Sequence, residues 1–105
     1  MPPLKAHIDT SAVGAFCRHW NVTELSLFGS ALRDDFRPDS DVDVLVAFAP
    51  EAHPTLFDLV HMKEQLEEIL GRTVDLLSRR GVEQSRNYLR RRAILSSVEP
   101  IYVQR

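Results

Sequence analysis

Glu24-Leu25-Ser26-Leu27-Phe28, closed by Gly29-Ser30, and then Asp41-Val42-Asp43-Val44-Leu45-Val46-Ala47-Phe48 carry the clearest structural signal in the chain. The first segment alternates polar and apolar residues, the period of a half-buried strand. Residues 42–48 are β-branched and apolar, the composition of a stronger second strand. Polar residues with Pro38 between the two predict a short turn or helix and then a loop.

Before this pair, Asp9 or Thr10 can cap a helix reaching about Trp20, with Val13, Phe16, Cys17 and Trp20 at helical spacing. After it, Pro50 and Pro54 bound a loop. Thr55 with Asp58 three positions later forms a capping-box pattern that opens a helix through Leu70. Leu56, Leu59, Leu66, Ile69 and Leu70 share one face, and Gly71 stands where a C-terminal glycine belongs. Thr73-Val74-Asp75-Leu76-Leu77 reads as a third strand, Gly81 as a turn, and residues 82–97 as a last helix. In that helix Val82, Tyr88, Leu89, Ala93 and Leu95 share a sector interrupted by Arg92. Pro100 is expected to end it, leaving Ile101-Tyr102-Val103 as an edge strand. The order α-β-(turn)-β-α-β-α-β predicts an α+β fold, a small mixed sheet flanked by helices.

A chain of 105 residues, 44% apolar and 27% charged, suits a single domain over 1–105 and excludes disordered and disulfide-rich classes. Its longest apolar run, residues 44–49, is far short of a membrane span of about 18 residues. The first seven residues lack the apolar core of a signal peptide. Cys17 is the only cysteine, so no internal disulfide can form, and a reducing cytoplasm is the expected location.

Asp41 and Asp43 are two apart on a strand, so their carboxylates share a face while Val42, Val44 and Val46 take the other. Such like charges repel, and a hard divalent cation relieves the repulsion. An isolated Asp-x-Asp is more often a solvent-facing pair. Gly29 and Ser30, ten residues upstream, alter that balance. Glycine at a strand end allows close backbone approach, and free N–H groups at a following turn attract phosphate. An anion cradle beside a cation site suits a nucleoside triphosphate with Mg²⁺. Asp75, between apolar Val74 and Leu76, adds a third carboxylate if its strand neighbours 42–48. Three carboxylates could then hold two Mg²⁺, one lowering the pKa of an attacking hydroxyl. His7, His19, His53 and His61 have no ligand spacing, and one cysteine builds no zinc site. Cys17, on an apolar stripe, reads as core. Ser30 has no neighbouring His–Asp pair, which argues against a nucleophile.

The spacing Gly29-Ser30-x10-Asp41-x-Asp43, with Asp75 on a later strand, resembles the nucleotidyltransferase superfamily that includes DNA polymerase beta. Chain length, residues 27–48, Val74-Asp75-Leu76 and Ile101-Tyr102 resemble more closely the minimal nucleotidyltransferase (MNT) antitoxins that accompany HEPN-domain toxins. The resemblance implies that Gly29 and Ser30 hold the triphosphate, with Arg33 nearby, and that Asp41 and Asp43 bind Mg²⁺. It implies that Asp75 completes the acid set and activates the acceptor hydroxyl. Many members carry glycine after the arginine, where this chain has Asp34, so the turn at Arg33 departs from the pattern.

The resemblance further implies transfer of AMP from ATP to a hydroxyl, tyrosine foremost, on a HEPN RNase toxin, in a hetero-oligomer with it. A chain this small has no second domain to seat an acceptor and must take it from another protein. The alternative is a non-catalytic antitoxin that covers its toxin. Nucleic-acid binding is disfavoured: residues 1–71 carry 5 basic against 12 acidic side chains, and the basic 72–92 segment has only Tyr88 among its arginines. Charge alone reads that segment, 7 basic against 2 acidic, as a solvated face. Arg92 within an apolar sector suggests instead that the helix meets an acidic partner near the site, and that reversing Arg90 and Arg91 to Glu spares ATP binding.

Overall fold

The computed structural model describes residues 8–28 and 41–104. Gly29, Ser30 and Arg33, and the turn expected around them, lie outside the described residues. The elements are α1 (Thr10–Trp20), β1 (Val22–Phe28), β2 (Val42–Phe48), α2 (Leu56–Leu70), β3 (Val74–Ser78), α3 (Arg79–Glu83), α4 (Tyr88–Ser96) and β4 (Glu99–Val103).

Local signals set most boundaries. Asp9 caps α1, its carboxylate accepting from the N–H groups of Ser11 and Ala12, and Asn21 ends it in the left-handed region at φ 58°. The capping box predicted at α2 is present: Asp58 N–H donates to Thr55 Oγ1 (3.1 Å) and Thr55 N–H to Asp58 Oδ2 (2.9 Å). Gly71, at φ 68°, closes α2 and donates its N–H to Glu67 O.

The four strands lie in the order β3-β2-β1-β4. β1 runs antiparallel to β2 and β4, whereas β2 and β3 are parallel. A parallel pair needs a crossover, and α2 supplies it. One sheet face packs Leu25, Leu27, Val42, Val44, Val46 and Val74 against Val13, Phe16 and Cys17 of α1 and Met62 and Leu66 of α2. Phe28 and Leu45, on the other face, meet Val82 of α3 and Ile94 of α4. The mixed sheet flanked by helices is the α+β architecture expected from the sequence.

Four expectations are corrected. The single helix over 82–97 is two short ones, because Ser78 and Asn87 each cap a separate start: Gly81 N–H donates to Ser78 Oγ and Arg90 N–H to Asn87 Oδ1. The apolar stripe of α2 centres on Met62 and Leu66, leaving Leu56 in the first turn 75% exposed. In α4 the buried residue is Ile94, and Leu89 is 77% exposed, so the sector drawn through a continuous helix loses its register at the break. Pro100 does not end the helix; Ser97 does, and Pro100 sits inside β4 opposite Ser26. Proline is tolerated there because β4 is an edge strand.

Cys17 lies in the core with no exposed surface. Burial pushes its thiol up to about 12, with the Arg18 charge pulling slightly the other way. The thiol therefore stays protonated at neutral pH, and its thiolate chemistry is suppressed. Modification by a thiol reagent at about pH 8 should be roughly 10³-fold slower in native buffer than in strong denaturant. A time course of absorbance with Ellman's reagent measures this, and a native rate near the denatured one would place Cys17 outside the core.

Candidate active site

The sequence left open whether Asp75 lies beside the earlier pair. The parallel register answers it: Val42 faces Val74, Asp43 faces Asp75 and Val44 faces Leu76. Laterally paired residues project to the same face, so Asp43 and Asp75 share one while their valine neighbours enter the α1/α2 core. That shared face is the one α3 and α4 cover further along, through Leu45, Leu77 and Val82. Phe28, the last described residue of β1, pairs with Asp43 from the other side.

Several bonds hold this register at the start of the strands. Val42 N–H donates to Thr73 O at 2.8 Å. Thr73 Oγ1 donates to Asp41 Oδ1 at 2.5 Å, tying the exposed Asp41 to the approach of β3. Val74 N–H donates to Glu67 Oε2 at 2.9 Å, and Lys63 Nζ donates to the same oxygen at 3.2 Å. These contacts, the Val74 amide first, hold the Glu67 carboxyl below its usual range. Neither Thr73 nor Glu67 was singled out from sequence. Thr73 could have been, since any register that aligns Asp75 with Asp43 brings Thr73 to Asp41.

The electrostatics follow from the grouping. Partial burial raises the Asp43 carboxyl above 3.8, and the charges of Asp75 and then Asp41 raise it further. Arg90, from α4, acts on Asp43 in the opposite direction. Arg90 therefore belongs to the electrostatic environment of Asp43. Further along this face, Arg79 reaches Glu24 (3.4 Å) and Glu83 (3.3 Å).

Among the described residues, no three His, Cys, Asp or Glu side chains form a ready-made ligand group. The donor chemistry of Asp41, Asp43 and Asp75 still fits a hard cation. All three offer carboxylate oxygen, and the repulsion that raises Asp43 is what a divalent ion relieves. Of the other sequence candidates, Cys17 is core, and His19 stands edge-on to Trp20 with ring centroids 4.9 Å apart.

A sequence model of the nucleotidyltransferase domain family matches residues 11–99. Protein adenylyltransferase MntA of Thermococcus cleftensis is 39% identical over 64 residues, which are 61% of this chain and 63% of MntA. The match thus spans less than two thirds of that relative. A solved chain provisionally described as a minimal nucleotidyltransferase superposes with a TM-score of 0.67 at 36% identity, covering 88% of each chain. A chain from the complex of tri-AMPylated Shewanella oneidensis HEPN toxin with MNT antitoxin has a TM-score of 0.60. It is 16% identical, with 90% of this chain and 70% of that one covered, a likeness of fold.

The acid cluster predicts a specific stability change. Because the folded state raises the Asp43 pKa, its protonated form is favoured by folding. That contribution is complete below the unfolded pKa and is lost as pH rises through the folded one. Asp75→Asn removes one cause of the rise. With chelator present, it should stabilise the protein by about 0.5 kcal/mol at neutral pH, solvent screening having reduced the effect. The gain should vanish near pH 3, where Asp43 is neutral in both forms. Paired urea titrations at the two pH values test it; equal stability at neutral pH would show that the two acids do not interact.

Proposed function

The chain belongs to the nucleotidyltransferase domain family, and on that premise we propose that it transfers AMP from ATP to a hydroxyl, foremost a tyrosine, on a cognate HEPN RNase toxin. The observation that carries this reading is the register that sets Asp43 beside Asp75, with Asp41 at the mouth of the same strand pair. The name of the MntA relative and the AMPylated toxin held with an MNT antitoxin support the same chemistry and the same partner.

Nucleotidyltransferases in general use a divalent metal, and here Asp41, Asp43 and Asp75 would hold Mg²⁺. When bound, the metal neutralises phosphate charge and lowers the pKa of an attacking hydroxyl. Gly29 and Ser30, with Arg33, are assigned to the phosphates of the nucleotide. Asp75, exposed on the edge strand β3, takes the hydroxyl proton as the acceptor oxygen bonds to the α-phosphorus. The bond to the β-phosphate oxygen breaks, and pyrophosphate leaves. Asp43, its pKa raised by partial burial and then by Asp75 and Asp41, is a group whose charged form a bound cation would favour. Modification of the toxin silences it, residues 1–105 acting as one catalytic domain in a hetero-oligomer with the toxin. Among the described residues no helix is long and apolar enough to cross a membrane. A cytoplasmic site of action agrees with Cys17 as a lone thiol.

Separable roles make the reading testable. Asp41→Asn with Asp43→Asn should lower Mg-dependent ATP affinity at least about tenfold by calorimetry, with the fold retained. Asp75→Asn should keep ATP binding within a few-fold yet lose roughly 10²–10⁴ in transfer, read as the AMP mass adduct on co-incubated toxin. Toxin that is neutralised with no adduct would instead establish inhibition by covering.

A further inference from the structure

β3 is an edge strand, and beyond it lies a cleft of about 310 Å³ between α2 and the α3–α4 pair. Leu59, Leu76, Val82 and Ile94 give it an apolar floor, and Arg90 and Arg91 stand at its rim. Leu77, also in its wall, is two residues beyond Asp75 on the same strand face. Leu77 thus sets the cleft further along β3 from Asp75, on the side away from β1.

The backbone of β3 adds a second feature. N–H groups of a strand alternate sides, and Val74 turns its own outward to Glu67. Two residues on, Leu76 turns its amide group to that same outer side, where it lines the cleft. An extended polypeptide can pair with such an edge while its side chains enter the adjoining hollow.

Charge selects among polypeptides. The 72–92 segment carries 7 basic and 2 acidic side chains. Glu83 is already paired with Arg79 at 3.3 Å. Arg91 stacks on Tyr88 at 5.4 Å and donates to Glu83 O at 3.1 Å, contacts that position its guanidinium without neutralising it. Among the described residues neither Arg90 nor Arg91 forms an ion pair with a carboxylate of this chain. A phosphate backbone is a poorer match, because Asp75 stands two residues before Leu77 on the same face of β3 and the cleft floor is aliphatic, without rings for base stacking.

We propose that this cleft is the acceptor subsite: an extended segment of a partner protein docks along β3, its hydroxyl-bearing side chain seated over Leu76 and Ile94 and its flanking carboxylates held by Arg90 and Arg91. The assignment rests on the AMP-transfer reading above and extends it to the geometry of the acceptor. Nucleotide and acceptor then approach from opposite sides of the acids, the nucleotide from the β1 end and the acceptor from the β3 edge. The acceptor oxygen gives its proton to Asp75, forms the bond to the α-phosphorus of ATP, and pyrophosphate departs with the electrons of the broken bond.

Isotope-labelled protein titrated with a pentapeptide, a central tyrosine flanked by two glutamates on each side, provides the test by NMR. Amide shifts should concentrate at Leu76, Leu77, Ser78 and Val82, and the lysine-flanked analogue should bind at least about tenfold more weakly. Arg91→Glu should weaken the acidic peptide at least about tenfold while its spectrum stays dispersed, and Arg91→Gln should fall between. Shifts mapping elsewhere, equal affinity for the two peptides, no binding of the acidic peptide, or its displacement by a short oligouridylate would each overturn the subsite. Whether AMP appears on the toxin is measured separately. Charge-selective binding in the cleft with no adduct would reject the transfer reading and leave the docking surface standing.

Discussion

Everything at the candidate site depends on one pairing, the parallel register of β2 with β3. Strand side chains alternate, so a slip of one residue would turn Asp75 toward the α1/α2 core and Val74 toward solvent. That error is prohibitive, because the face it would invade is closed around Val42, Val44 and Met62 with no exposed surface left. The apolar residues thus fix where the carboxylates go. Thr73 and Glu67 reinforce the choice from the other end, since their bonds to Asp41 and Val74 form only in this register.

The same pairing gathers like charge on a small domain. Asp43 responds by holding its proton more tightly, first because it is partly buried and then because Asp75 and Asp41 stand near it. Arg90 of α4, in the helical layer over that face, acts on Asp43 in the opposite direction and offsets part of the repulsion. This explains why the basic residues of the C-terminal third are not spread evenly over the surface. The layer that covers the acid-bearing face is the arginine-rich one, and the α1/α2 layer on the other face shares the more acidic part of the sequence.

Much of this was legible in the chain, and what was not has identifiable causes. The capping box at Thr55, the glycine at 71 and the β-branched run at 42–48 are local signals, and local geometry obeys them. The partnership of Asp75 with Asp43 was legible only as a condition, because strand order is a long-range property. The last helix was misread since its period was extended across Gln84 to Asn87, where Ser78 and Asn87 supply two caps in place of one. Once the helix breaks, the phase of every apolar residue after it changes. Hence Ile94, and not Leu89, reaches the core. Gly29, Ser30 and Arg33 remain assignments from sequence.

The break in that helix has a consequence for the site itself. A continuous helix over 82–97 with the predicted sector would have buried Leu89 and turned Arg90 away from the sheet. Two helices, hinged between Glu83 and Tyr88, let Val82 and Ile94 both pack on the sheet face with Phe28 and Leu45. Arg90, one turn before Ile94, is then carried back toward the start of β2, where Asp43 lies. Arg91, beside it, reaches the rim of the cleft and the carbonyl of Glu83. The local caps at Ser78 and Asn87 therefore do more than end helices: they aim the two arginines along the same sheet edge as Asp75. The β2/β3 register places Asp75 and the two caps place the arginines, so acid and cations meet at one edge of the sheet.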